Sequence, residues 1–288
     1  MLALALVAAL FEFQSPFWLD LHHRLYAESG RVKVEHQMPP EAQQRWHAAL
    51  VAYRELYPER NLATLFRSDA AQATRRALDG DDVSRVDPKL RAILQAVAPV
   101  YREHIWPSDQ KADARFIEAL QPLLAKHGAT VAKNMAAALG GPPPQGAMRA
   151  DVTAFAGPVG AYTILGPVLI AISSTDERHQ GPAAVESLFH EAGHALIFPL
   201  TRELRTALEE TGKPGHDDLW HALLFFTAGE VVKRQLGPDH VPYAKAQHLW
   251  ERVPKWSSYL PLLDKHWIPV IDGKATPSDG LKALVAAL

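Results

Sequence analysis

The sequence predicts an α+β fold, predominantly helical, with a small β-sheet just ahead of a helix that carries His190-Glu191-Ala192-Gly193-His194. Three observations lead there. Long stretches keep apolar residues at three-to-four spacing, the period of an amphipathic helix. The stretch 152–173 changes to short runs rich in β-branched and aromatic residues, broken by Gly-Pro pairs, as strands are. The HExxH string follows those runs in a segment with its own helix-start and helix-stop signals.

In chain order, 1–10 is an apolar run that ends in small residues. It is similar to the hydrophobic core of an export signal but lacks the basic start, so it reads equally as a terminal helix. The first reading implies a periplasmic or secreted protein, the second a cytoplasmic one. A helical lobe is expected over 11–140. Pro39-Pro40-Glu41 opens one helix through Trp46, Leu50, Val51 and Leu56, and Asp87-Pro88 opens another with Leu90, Ile93, Leu94, Val97 and Val100 on one face. Helical spacing continues over 108–124 and 127–139. The Gly- and Pro-rich 140–146 then stops it and marks the expected boundary of a second lobe, 147–288, the two lobes packing as one unit. There, 152–155, 161–165 and 168–173 read as strands. Pro182 suits the first turn of a helix, where its missing N–H costs nothing, and that helix is expected over 185–198. Helices follow over 202–211 and from Asp217-Asp218, acids suited to a helix N-terminus, to about 236. The tail is helical again from Tyr243.

Composition narrows the function. The chain has 288 residues, 22% of them charged, with a formal net charge of −2 and no basic run, which argues against a nucleic-acid partner. It has no cysteine, so any metal site must use His, Asp or Glu. No segment is long and apolar enough for a transmembrane helix.

His190 and His194 stand four apart on the expected helix, so both imidazoles leave one face about 40° apart and can reach one Zn²⁺ at about 2.0–2.1 Å. Glu191 lies roughly 100° around the helix. It can stand beside the ion without ligating it and take a proton from zinc-bound water. Val185, Leu188, Phe189, Ala192 and Leu196 form the apolar face that anchors the helix. Gly193, lacking a side chain, would let a strand or substrate approach.

With strands before it and a His- and Glu-bearing helix after it, this motif resembles the zincin metallopeptidases over about 161–236. The resemblance implies a zinc-dependent hydrolase that cleaves amide bonds in a peptide or protein substrate. It also implies that the strand region 162–173 pairs with extended peptide by backbone addition. The string 190–196 is also similar to FtsH-type ATP-dependent proteases, but no phosphate-binding GxxxxGK[ST] loop accompanies it. Ile197 and Leu200 stand where the metzincin pattern requires glycine and histidine, so that subclass is excluded. The gluzincin plan takes a third ligand from a following helix. His221 is the preferred residue, and Glu230, the usual residue type, is the alternative. The two lie about 13.5 Å apart along an unbroken helix and cannot both serve one ion.

Tyr162 and His216 are lesser candidates as donors to a developing oxyanion. His22 and His23, being adjacent, point about 100° apart and are assigned no role. Trp220 and Trp250 read as core. The alternative function is a non-catalytic zinc protein, structural or partner-binding, which would need a closed four-ligand site. A repressor-cleaving regulatory module ranks last, because no helix-turn-helix is evident.

Overall fold

A computed structural model describes residues 10–32, 34–80, 82–142 and 146–288. The apolar start lies outside them, apart from Leu10, as do 143–145 of the Gly/Pro-rich stretch. The chain is mainly helical with a small four-stranded mixed sheet. Its contacts divide it into two compact units, Phe13–Ala119 with Arg149–Gln180 and Met1–Glu12 with Leu120–Met148 and Gly181–Leu288. The units are interleaved rather than sequential. The boundary expected at 140–147 falls beside only one of the crossings, at Met148–Arg149.

The first unit contains α1 (Phe17–Ser29), α2 (Pro40–Leu56), α3 (Asp69–Asp79) and α4 (Pro88–His104). Proline opens α2 and α4, and the Asp87 carboxylate caps α4 by accepting from the amides of Lys89 and Leu90 at 2.9 and 3.2 Å. The expected face of α4 is largely inside: Leu90, Leu94, Val97 and Val100 are buried, and Ile93 packs at the edge. Trp46 and Tyr101 stack with centroids 6.0 Å apart, and burying either ring contributes about 1.5–3 kcal/mol. The indole N–H of Trp46 meets Glu28 at 2.9 Å, which satisfies the one polar atom that burial would strand.

One strand and one continuous helix lay outside the sequence reading. β1 (Phe11–Gln14) was hidden by its shortness, and α5 (Trp106–Leu139) runs unbroken where two helices were expected. β2 (Met148–Thr153) begins four residues before the expected 152–155 and shares only Val152 and Thr153 with it, whereas β3 (Ala161–Ile164) and β4 (Leu169–Ser173) fall on expected strands. The sheet order is β1-β2-β4-β3, with β2 and β4 parallel and β3 and β4 antiparallel, so β3 stands at an edge and β4 is internal.

This unit buries many polar groups and satisfies most of them. Thr153 donates its hydroxyl to the Phe155 carbonyl, so it accepts from His23 Nδ1 at 3.0 Å. That leaves His23 Nε2 to accept from the Tyr162 hydroxyl at 2.9 Å. Burial pushes His22 down to about 4 and holds His23 well below the usual imidazole range. Both are neutral core histidines.

The second unit holds α6 (Pro182–Leu196), α7 (Phe198–Glu210), α8 (Leu219–Leu236), the short α9 (Tyr243–Ala246) and α10 (Leu249–Arg252), then α11 (Trp256–His266), α12 (Ile268–Ile271) and α13 (Pro277–Ala287). On α6, Val185, Leu188, Phe189 and Ala192 are buried as the motif's apolar face requires. No helix among the described residues is long and apolar enough to cross a membrane.

Asp113, in the first unit, makes a testable contribution to stability. Burial pushes its carboxyl up to about 7, although the hydroxyl of Ser15, 2.6 Å away, stabilises the anion. A raised folded pKa means that this group favours folding most below about 4, and loses that contribution as pH rises through about 7. Asp113→Asn should therefore leave stability near pH 4 almost unchanged and raise it at pH 8 by on the order of 2–4 kcal/mol, read from urea unfolding at both pH values.

Candidate metal centre

Helix α6 presents His190 and His194 one turn apart, and α8 presents His221 in its first turn. One ligating atom from each of the three lies within 4.8 Å of the other two. Three nitrogens on one tetrahedral zinc stand roughly 3.4 Å apart, so ring movements on the order of 1 Å would complete a site. The donor set suits zinc: three neutral imidazoles with no oxygen-rich shell fit a borderline ion better than Mg²⁺ or Ca²⁺. Burial pushes His194 down to about 4, so at neutral pH its lone pair is available to a cation.

What brings His221 to the pair is the close packing of α6 on α8. A Cβ built on Gly193 would stand 2.6 Å from Leu224 Cδ1 and 3.3 Å from Met135 Cε. The glycine therefore admits neighbouring helices, α8 and α5, rather than the strand or substrate expected from the sequence.

Aromatic rings enclose the histidines. His190 stacks on Phe225 at 3.8 Å, and Phe225 lies one turn beyond His221 on α8. His221 stacks on Trp220 at 4.8 Å and meets Trp256 edge-on at 5.9 Å. The Trp256 indole donates to Asp218 Oδ2 at 2.8 Å. Asp218 occupies the N-cap position of α8 but makes no side-chain cap, so the expected capping acid instead ties α11 to the start of α8. One turn before His190, the buried Glu186 bonds His240 Nε2 at 2.7 Å and accepts from the Tyr243 amide at 2.8 Å. A Cβ on Gly229 would come within 3.1 Å of that carboxylate.

Glu191 is buried, and its Oε2 stands 3.8 Å from His194 Nε2. Glu230 is elsewhere on α8, paired with Arg234 at 3.3 Å, and is not part of the three-histidine group. His216 lies at the loop entering α8, with Nδ1 2.9 Å from the Tyr259 hydroxyl. Tyr162 belongs to the other unit, where its hydroxyl is engaged by His23 and its ring stacks on Phe66 at 4.5 Å. The strands expected to receive peptide are in that unit as well.

Trp220 departs from its expected core role. It is only partly buried and lines a cavity of about 380 Å³ with residues of α7 and the α7–α8 loop. Trp250 is core, as expected. Phe225, Trp256 and Glu186 escaped the sequence reading, and Asp218 entered it only as a helix-start acid. Of the first three, only Glu186 carried a signal, its position four residues before His190.

The class that fold and site define is thus an α+β, mainly helical protein with a three-histidine group that could hold a metal ion. Comparison with protein-family models, curated proteins and solved structures finds no match to this chain.

Two outcomes test this geometry. In metal analysis after zinc loading, His221→Ala should fall well below one equivalent, whereas Glu230→Ala should stay near one. Gly193→Val should lower stability by about 1–3 kcal/mol through overpacking and weaken zinc retention, because α8 must move away.

Proposed function

We propose that the protein is a zinc-dependent hydrolase that cleaves amide bonds, a metallopeptidase of zincin-like, gluzincin-related design with histidine as its third ligand. The observation that carries this reading is the convergence of His221 on His190 and His194 with the Glu191 carboxylate beside them. His190, His194 and His221 would hold one Zn²⁺. Three protein ligands leave one tetrahedral position for water or substrate, the pattern of catalytic rather than structural sites. When bound, the ion would supply Lewis-acid polarisation of the carbonyl and lower the pKa of water to about 7.

The chain's own groups supply the rest. Glu191 accepts the proton of the attacking water and returns it to the leaving amine nitrogen, since its carboxylate flanks His194 Nε2 at 3.8 Å. Phe225, Trp220 and Trp256 pack against the imidazoles and restrict their ring orientations. His216 is the donor we assign to the negative charge that develops on the carbonyl oxygen. Tyr259, which donates to Asp218, holds the imidazole in position.

Glu191→Gln separates metal binding from turnover. The variant should bind one zinc but release new amino groups from a denatured protein substrate at least 10²-fold more slowly than the zinc-loaded wild type. Equal rates in the two proteins would remove Glu191 from the mechanism. A zinc-loaded wild type that released none would point to a non-catalytic zinc protein.

A further inference from the structure

We infer that the cavity behind Trp220 is the specificity pocket of this centre, and that it selects substrates carrying a bulky, uncharged side chain beside the scissile bond. The inference rests on the metal-centre reading above and adds the substrate class to it.

The cavity lies next to the histidines. The Trp220 ring lies 5.7 Å from the His194 ring and 4.8 Å from the His221 ring, and the same side chain forms part of the cavity wall. One indole thus separates two metal-ligating imidazoles from an open space of about 380 Å³, within the size range of ligand pockets. Consecutive Cα atoms are about 3.8 Å apart, so the side chain of a residue flanking a bond held at the histidines would extend toward the indole and the space beyond it.

Thr201, Leu204, Arg205 and Leu208 line the cavity at three-to-four spacing, so one face of α7 forms its wall. Leu204 and Leu208 are buried and supply, with Trp220, the apolar surface.

Charge decides the class of occupant. Arg205 and Lys213 line the cavity, but so do Glu209 and Asp217, and the formal charges cancel. The Lys213 ammonium is also held at 2.8 Å by the carbonyls of both Val285 and Ala286. No single sign is presented to an incoming side chain, and Leu204, Leu208, Pro214 and Trp220 offer apolar area whose burial favours an uncharged group over a charged one.

Calorimetric titration of the zinc-loaded protein tests this with two hydroxamates that differ only in a benzyl or a methyl side chain. The benzyl compound should bind on the order of 100-fold more tightly than the methyl one. Leu208→Trp, which fills the cavity from its wall, should reduce that ratio to below about tenfold at unchanged zinc stoichiometry. Arg205→Trp fills it from an exposed position and guards against a folding defect at Leu208. Equal binding of both hydroxamates by the wild type, or a ratio unmoved by either variant, overturns the pocket and leaves the metal centre standing. Failure of both compounds to bind protein that carries one zinc, or failure to load zinc at all, overturns the metal-centre reading, and the pocket with it.

Discussion

The centre depends on how closely α6 can lie against α8. Two histidines on one helical face do not make a three-histidine group, and the third ring must come from another helix at a fixed depth. Gly193 sits between His190 and His194 on α6, and Leu224 of α8 occupies the space its side chain would fill. Leu224 lies three residues after His221, close to one turn, so the contact that sets the helix separation also sets where His221 stands. Packed interiors resist expansion, which makes this separation a rigid property of the fold.

Around that contact the protein surrounds the imidazoles with rings and secures the rings through polar tips. Phe225 lies flat on His190, and Trp256 is anchored through its indole N–H to Asp218. Glu186 performs a parallel service one turn earlier on α6, tying the helix to His240 and to the amide of Tyr243. Burial raises the Glu186 pKa, but those hydrogen bonds oppose the rise, so the carboxylate is held by its partners and not by solvent. These contacts fix the positions of the three imidazoles within the fold.

The other unit shows what histidines look like when the fold uses them differently. His22 and His23 are buried, yet each ring has a hydroxyl partner, Tyr53 for His22 and Thr153 and Tyr162 for His23. Both nitrogens of His23 and Nδ1 of His22 are engaged by neutral hydrogen bonds. In the α6–α8 cluster the three rings face one another. Burial alone therefore does not distinguish a ligand from a core histidine, whereas mutual convergence does.

Local rules made much of this chain legible in advance. Proline at the starts of α2, α4 and α6, the Asp87 cap and the change of hydrophobic period around 150 located helices and strands, because each is a short-range property of a few neighbouring residues. The i,i+4 spacing of His190 and His194, with Glu191 beside them, was equally readable, since one helical turn fixes it. The choice between His221 and Glu230 was not, because it depends on which turn of α8 lies against α6. The interleaving of the two units, the engagement of Tyr162 by His23 and the turning of Trp220 toward a cavity were also beyond local reach. Each depends on contacts between residues far apart in sequence, and only the folded chain brings those together.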